Sequence, residues 1–234
     1  CITLMDRNGA DITRSMERKI QNAYWRAEYT KGQAAGIKPV KHISDAKLFY
    51  LQSLISELGI AEENLKKVVA SGNEELCEML RQALKNICEV QVVKQNRLIH
   101  ALAAEKKNAL FGIEITDSCR YKLIEPVKGE ELSRYTVNEI AAYIAIENVC
   151  SCAYIDLTMP RSLEQLAVSK GLEIVKTGVS RKDFMKHKGS ITDAVKTFNL
   201  SYDSVYAGAH IAQYLISNNM SLSDVADKAS DGSI

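Results

Sequence analysis

The sequence lacks the features that mark membrane proteins and nucleic-acid binders. Its apolar runs fall far short of the ~18 consecutive residues that a membrane-spanning helix requires, so we expect no membrane partner. The 30 Lys and Arg residues are scattered among 29 Asp and Glu residues, whereas nucleic-acid binders usually carry a clustered basic face. We therefore expect no nucleic-acid partner. A signal-peptide pattern is also missing, which favours a cytoplasmic location.

The six cysteines lack the spacing of a zinc site. Only Cys150 and Cys152 lie close together, and no histidine accompanies them, whereas zinc usually needs two such pairs or a Cys and His set at ligand spacing. A chain of 234 residues can also bury a core without disulfides. The sequence therefore predicts free thiols, most of them buried, in a reducing compartment.

What is present is the composition of a globular protein, with 46% apolar and 25% charged residues. The length suffices for one large domain or two ordinary ones. Because residue 1 is Cys rather than Met, we expect the chain to be an engineered piece, a processed product or a trimmed fragment.

Strand and helix patterns alternate along most of the chain. Residues 1–42 begin with a short apolar strand, continue as a helix and end in a linker that contains glycine. Residues 43–124 predict a helix, then three strands alternating with two helices, and a fourth strand that opens a hairpin. Residues 125–200 repeat the alternation, and two further helices close the chain. This order predicts layered α/β domains.

Two local patterns give more detailed expectations. Thr136 is followed three residues later by Glu139, the spacing of a capping box, and is expected to start a helix. The helix within residues 1–42 is expected to bury one stripe of side chains at helical spacing, formed by Met16, Ile20, Ala23 and Ala27.

Five successive segments resemble parts of one enzyme family. They are CITLMDRNGADITRSMERKIQNAY (1–24), LKKVVASGNEEL (65–76), NALFGIEITDSCRYKLI (108–124), the stretch from CAYIDL to MKHKG (152–189), and NLSYDSVYAGAHIAQYLISNNMSLSDVADKAS (199–230). They are similar, in turn, to the end of the family's first domain, the start and end of its second domain, its third domain and a later helix. The family is that of the α-D-phosphohexomutases, which includes phosphoglucomutase and phosphomannomutase.

The resemblance implies the fold and the division of the chain. It implies two consecutive three-layer α/β domains with mixed sheets of about four strands, preceded by a strand and helix left from another domain. Residues 1–42 would be this remnant and a linker, residues 43–124 the second domain, and residues 125–234 the third domain with its C-terminal helices. Most of the first domain and all of the fourth would then be absent from this sequence.

The catalytic groups of the family are also missing from the sequence. The resemblance places a phosphoserine in a T-A-S-H-N-P loop, which is not found, so no catalytic residue is expected. The family holds Mg²⁺ with three aspartates, where this chain has Thr116, Asp117, Ser118, Cys119 and Arg120. Since Mg²⁺ needs several hard oxygen ligands, we expect no metal and no cofactor, with Asp117 a relic that pairs with Arg120 or with nearby backbone.

The sugar-binding loop of the family, G-E-x-S-G-H, is replaced by the sequence GSITDAVKTFNLSYDS in residues 189–204. The resemblance leaves Arg161, Thr177 and Gly178 as candidate contacts for a sugar phosphate. The turn at Thr177 and Gly178 is equally compatible with an ordinary connection between a strand and a helix.

These observations favour a degenerate, non-catalytic phosphohexomutase-like module with a structural, assembly or sugar-phosphate-sensing role in carbohydrate metabolism. Its expected partners are a sugar phosphate and either the missing mutase domains or a sugar nucleotidyltransferase, fused or associated. The alternative is a fragment of an active phosphoglucomutase or phosphomannomutase, an isomerase, in which case Mg²⁺ is the expected cofactor. A truncated active enzyme would be expected to retain three aspartates within residues 115–121, which favours the non-catalytic module.

Overall fold

The structure is a computed structural model, and the chain divides into two compact units, Cys1–Ile43 and Ser44–Ile234. The structure describes residues 14–26, 43–58, 65–118, 120–149, 151–178 and 191–231. The predicted first strand, the linker and the short basic helix after Gly178 lie outside these residues. None of the helices in the described ranges is both long and apolar enough to cross a membrane.

The described part of the first unit is helix α1, Arg14–Trp25, in agreement with the predicted helix. The predicted buried stripe is wrong at the two large positions, since Met16 is 51% exposed and Ile20 is 44% exposed. Ala27 lies outside the described residues.

The second unit begins with helix α2 and a four-stranded sheet with its helices. The elements are α2 (Ile43–Leu58), β1 (Lys67–Gly72), α3 (Glu74–Leu84), β2 (Glu89–Val92), a 3₁₀ turn (Gln95–Arg97), α4 (Leu98–Ala104), β3 (Ala109–Ile115) and β4 (Tyr121–Ile124). The second half of the unit contains α5 (Arg134–Asn148), β5 (Cys152–Asp156), α6 (Arg161–Ser169), β6 (Glu173–Thr177), α7 (Ile191–Tyr202), α8 (Ser204–Ser217) and α9 (Leu222–Asp231).

The first sheet is mixed and has the strand order β2-β1-β3-β4. Strands β2, β1 and β3 are parallel, and β4 runs antiparallel to β3. Strand β3 is a run of apolar residues that are almost all buried, as is typical of a strand covered on both faces. The predicted mixed sheet of four strands is confirmed here. The second arm of the predicted hairpin contributes only an isolated bridge between Ile124 and Glu131.

In the described part of the chain, the second sheet has two parallel strands, β5 and β6, in place of the expected four or so. Helix α7 packs against β5 and against α5, so a helix, which the sequence patterns did not predict, lies beside this sheet. The carboxylate of Asp193 fixes the first turn of α7, because it accepts hydrogen bonds from the backbone nitrogens of Ser151 (3.1 Å) and Cys152 (3.0 Å).

Among the described residues, an extended apolar core runs through the second unit, and two smaller clusters of buried residues lie beside it. Helix α8, from the predicted third domain, packs against α3 and β3 of the predicted second domain. The approach is close at Gly208, where a Cβ atom would lie 3.1 Å from Leu80 Cδ1 and 3.2 Å from Ile113 Cδ1. The domain limits at residues 42 and 124 stay a prediction.

Helix α5 begins one turn earlier than the capping box predicts. Its N-cap is Ser133, whose side chain accepts a hydrogen bond from the backbone nitrogen of Thr136 at 3.1 Å. Glu139 is therefore not a capping residue. It is buried in the helix, and this burial raises the pKa of its carboxyl group. The N-cap is Ser133 rather than Thr136 because Arg134, the first residue of the helix, donates hydrogen bonds to backbone carbonyl groups of other elements.

Candidate functional site

The candidate site lies where the parallel strands end. Strands β1 and β3 end side by side at Gly72 and Ile115, and the turn of residues 116–120 follows β3. In open α/β sheets, ligands bind outside the carboxyl ends of the strands. The turn that resembles the family's metal loop is therefore at the expected edge.

Gly72 shapes this edge because its backbone adopts a φ of +107°. A Cβ atom there would lie 2.0 Å from the carbonyl oxygen of Ile115, so only glycine fits. The backbone nitrogen of Asn73 donates to that same oxygen at 2.9 Å. The side chain of Asn73 then caps helix α3 by accepting from Leu76 N at 2.9 Å.

The same asparagine holds the one acidic residue of the turn. Nδ2 of Asn73 donates to Oδ1 of Asp117 at 2.9 Å. The ion pairs of the described residues do not include one between Asp117 and Arg120. The expected ion pair between Asp117 and Arg120 is therefore wrong, because the turn at Gly72 places Asn73 beside the carboxylate.

The turn itself is closed by its own backbone. Thr116 donates to the carbonyl oxygen of Arg120 through both its backbone nitrogen (2.9 Å) and its hydroxyl (3.1 Å), and the hydroxyl oxygens of Thr116 and Ser118 lie 3.0 Å apart. Within the described ranges, no group of three or more His, Cys, Asp or Glu residues could hold a metal ion. One carboxylate that already accepts from an amide does not fit Mg²⁺, which prefers several charged oxygen ligands.

The second sheet presents a similar edge. Asp156 and Thr177 are paired in register at the ends of β5 and β6. Asp156 is buried, and its Oδ1 accepts from the backbone nitrogen and the hydroxyl of Thr158 at 2.7 and 2.6 Å. Thr177 is 2% exposed and donates its hydroxyl to the carbonyl oxygen of Gly178 at 3.1 Å.

Of the three predicted sugar-phosphate contacts, Arg161 is the most accessible. It is exposed and is the first residue of α6, which follows β5. Thr177 and Gly178 follow β6 on the same edge of the second sheet, because β5 and β6 are parallel. The structure thus places all three residues at one edge, and their role stays a prediction.

Arg134 connects the two edges. Its Nη2 donates to the carbonyl oxygen of Ser201 at 2.7 Å, and its Nη1 lies 3.5 Å from the carbonyl oxygen of Tyr121. The guanidinium also lies 5.7 Å from the ring centroid of Tyr121 and 5.8 Å from that of Tyr202, within the range of cation–π contacts. The hydroxyl of Tyr121 donates to the carbonyl oxygen of Leu200 at 2.6 Å.

These contacts fix the C-terminal end of helix α7. The last carbonyl groups of a helix lack partners within the helix and carry a partial negative charge. Arg134 and Tyr121 supply donors to two of them, and the positive charge of Arg134 complements the helix dipole. The end of α7 is thereby held against the start of β4.

The pKa of Tyr202 responds to charged groups of both edges. Burial raises the pKa of its hydroxyl, Arg134 and Arg120 act to lower that pKa, and Asp156 acts to raise it. We name Arg120, Arg134, Asp156 and Tyr202 the edge cluster. Guanidinium, carboxylate and phenol groups are the kinds of donors and acceptors that recognise phosphates and sugar hydroxyls.

Arg134 and Tyr202 were not among the residues predicted from the sequence. One signal for Arg134 was available, because a cation in the first turn of a helix opposes the helix dipole and therefore needs a partner elsewhere. Tyr202 carried no such signal, since it is brought to the cluster by helix α7.

Comparison with known proteins gives similarity at the level of the fold. The sequence matches no protein-family model and no curated protein. Among solved structures, a protein assigned as a phosphomannomutase from Thermus thermophilus is 13% identical, with a TM-score of 0.56 over 80% of this chain and 50% of that chain. A phosphoglucomutase/phosphomannomutase family protein from Burkholderia thailandensis is 16% identical, with a TM-score of 0.63 over 94% of this chain and 53% of that chain.

The chain spans about half the length of these structures, which are 50% and 53% covered. The similarity shows that the chain has a phosphohexomutase-like fold.

Proposed function

We propose that this chain is a non-catalytic phosphohexomutase-like module that binds a sugar phosphate at the edge cluster. The observation that carries the proposal is the single carboxylate of the 116–120 turn, Asp117, held by the amide of Asn73. Phosphoryl transfer needs a cation against the charge that develops on the phosphoryl oxygens. One carboxylate near the Arg120 guanidinium leaves the turn close to neutral, which cannot offset the partial dehydration of Mg²⁺.

The edge cluster offers what phosphate recognition requires without a metal. The guanidinium of Arg134 has five N–H donors, and two bonds to carbonyl oxygens leave others for a ligand. Arg120 and Arg161 are exposed at the ends of β3 and β5. In this proposal the arginines bind the phosphate, Asp156 and the backbone at Thr177 and Gly178 face the sugar, and no bond is broken.

A partner is part of the proposal. Because the chain spans about half the length of similar structures, the remaining functions are assigned to the missing mutase domains or to a sugar nucleotidyltransferase, fused or associated, in the cytoplasm. We expect the chain to report or stabilise sugar-phosphate binding for that partner.

Calorimetric titration of the chain with glucose 1-phosphate and mannose 1-phosphate tests the binding. Arg161→Gln and Arg120→Gln are each expected to weaken binding about tenfold, since a charge-assisted hydrogen bond contributes about 1.5–3 kcal/mol. Arg81→Gln is the matched control, because Arg81 lies on α3 and pairs with Glu78 at 2.5 Å. Equal affinity in all four proteins would reject the edge cluster as the binding site.

A coupled assay for mutase activity with Mg²⁺ separates the proposal from the alternative of an active fragment. The chain is expected to give no turnover above background. Turnover that disappears in Asp117→Ala would overturn the proposal.

A further inference from the structure

A small cavity of about 20 Å³ lies beside the edge cluster. Asp156 and Tyr202 belong to the cluster and also line the cavity, together with other residues of α5, β5 and α7 and the turn after β5. A water molecule needs roughly 10–15 Å³ of such space and two to four polar partners. The cavity therefore has room for one group of that size, and larger groups do not fit unless its walls move.

Asn138 is the lining residue whose hydrogen bonds are incomplete. Its Oδ1 atom is buried and accepts no hydrogen bond. Within the ranges that the structure describes, its Nδ2 atom takes part in no hydrogen bond either. Buried polar groups in folded proteins are nearly always hydrogen-bonded, so an unpaired amide needs an explanation. In a cavity of this size the amide indicates a partner from outside the chain, either water or one group of a ligand.

The amide lies on the same face of helix α5 as Arg134. The two residues are four positions apart, a spacing that places side chains next to each other on a helix. The guanidinium of Arg134 lies 5.8 Å from the ring centroid of Tyr202, which itself lines the cavity. The cavity is therefore adjacent to one of the cations to which phosphate binding is assigned in the proposed function.

The polar groups of the cavity suit a hydroxyl group, which can both donate and accept a hydrogen bond. A half-turn about the Cβ–Cγ bond of Asn138 exchanges its oxygen and nitrogen, so either atom can face the cavity. Oδ1 of Asp156 already accepts twice from Thr158. The hydrogen bonds of the described residues leave Oδ2 of Asp156 without a donor. A carboxylate favours a donor there and disfavours a phosphate oxygen, which has the same sign of charge.

We propose that this cavity receives one hydroxyl group of the sugar, which donates to Oδ2 of Asp156 and pairs with the amide of Asn138. The inference rests on the proposed sugar-phosphate binding and makes Asn138 a residue that determines specificity. A sugar phosphate that lacks this hydroxyl leaves the amide and the carboxylate unpaired. One that carries an acetamido group on the same carbon is too large for the cavity.

Calorimetric titration with glucose 1-phosphate and its 2-, 3-, 4- and 6-deoxy analogues tests the inference. One of the deoxy analogues is expected to bind the wild-type chain about tenfold more weakly than glucose 1-phosphate, because a site that hydrogen-bonds a hydroxyl group rejects the analogue without it. Asn138→Ala is expected to bind glucose 1-phosphate about tenfold more weakly and to discriminate less against that analogue. Since the amide has no hydrogen bond within the described chain to lose, this variant is expected to unfold at nearly the same urea concentration as the wild type.

Asn148→Ala is the matched control. Asn148 lies on the same helix, is exposed and donates its Nδ2 to the carbonyl oxygen of Ile144 at 2.9 Å. This variant is expected to keep the affinity of the wild type for every ligand. Equal affinity of Asn138→Ala and the wild type for glucose 1-phosphate would overturn the inference, as would deoxy analogues that all bind as well as glucose 1-phosphate. A lower unfolding midpoint in Asn138→Ala with unchanged affinity would assign the cavity to a structural water only.

Failure of this inference and failure of the proposed function are distinguishable. If glucose 1-phosphate binding is weakened in Arg161→Gln but not in Asn138→Ala, the binding site stands and the role of Asn138 is rejected. If the wild-type chain binds none of these ligands, both are rejected.

Discussion

Replacing Gly72 with alanine tests how closely β1 and β3 approach at the edge that carries the 116–120 turn. The new Cβ atom would lie 2.0 Å from the carbonyl oxygen and 2.9 Å from the carbonyl carbon of Ile115. These are backbone atoms in a paired strand, so they cannot move aside without loosening the sheet. Positive φ alone costs alanine about 1–2 kcal/mol. With the overlap added, we expect Gly72→Ala to lower the free energy of unfolding by about 3 kcal/mol or more.

Gly171→Ala is the matched control for this prediction. Gly171 also has positive φ, +70°, but nothing lies within 4 Å of the position of its Cβ atom. Gly171→Ala should therefore lower the free energy of unfolding only by the backbone strain, about 1 kcal/mol. Urea unfolding followed by far-UV circular dichroism measures both losses. Thermal midpoints should fall by about 2–4 °C per kcal/mol for a unit of this size. Equal losses in the two variants would refute the close approach of the strands at Gly72.

Three further predictions concern single side chains. Asn73→Ala should lower the free energy of unfolding by about 1–2 kcal/mol, because it removes a helix cap and the partner of Asp117. Asp117→Ala should lower it by less than about 1 kcal/mol. A larger loss for Asp117→Ala than for Asn73→Ala in urea unfolding would contradict this prediction. Ser133→Ala should cost about 1 kcal/mol and Thr136→Ala clearly less, and the opposite order would restore the capping box at Thr136. Burial lowers the pKa of His210 below its usual 6.5, so the free energy of unfolding should fall as pH drops below 6.5. His210→Gln should make this pH dependence weaker. An unchanged pH profile in that variant would exclude His210 as the source of the dependence.

The pH prediction rests on the surroundings of His210. Nε2 of His210 lies 3.6 Å from Oε2 of Glu57, and that oxygen accepts a hydrogen bond from the hydroxyl of Tyr206 at 3.0 Å. The carboxylate favours the charged imidazole, but burial has the larger effect and favours the neutral form. The unfolded chain therefore binds the proton more readily, which makes acid destabilising.

The order of elements was predictable because it depends on local patterns. The apolar run Ala109–Ile115 predicts a buried strand wherever it lies in the fold, and Gly171 marks the end of helix α6 by its positive φ. The start of α5 was less predictable, since Ser133 and Thr136 are both good capping residues. The choice between them depends on the anchoring of Arg134 to Ser201, which is distant in sequence.

Helix α7 escaped prediction because polar residues occupy its inner face. Asp193, Thr197 and Ser201 are all buried at a spacing of four residues. The hydroxyl of Thr197 donates to Asp193 O at 2.9 Å, and that of Ser201 donates to Thr197 O at 3.3 Å. These bonds satisfy the buried hydroxyl groups within the helix, so polar residues can occupy the face that packs on the core. The sequence of this face therefore lacks the apolar periodicity by which helices are predicted.

The location of the candidate site was predictable from the sequence, but the contacts between its residues were not. The resemblance located the 116–120 turn, and parallel strands imply a site at their carboxyl ends. The bond between Asn73 and Asp117 joins residues 44 positions apart and depends on the approach of β1 to β3. Pairings of that range are set by tertiary structure, which local patterns do not contain.

The thermal midpoint of the chain with and without millimolar Mg²⁺ tests most directly whether the 116–120 turn has lost its metal. Only a ligand that binds the folded state raises this midpoint. We expect no change in the wild-type chain, and a rise in the double variant Thr116→Asp with Ser118→Asp, which surrounds Asp117 with further carboxylates. A rise in the wild-type chain that Asp117→Ala abolishes would contradict the account and favour an active enzyme.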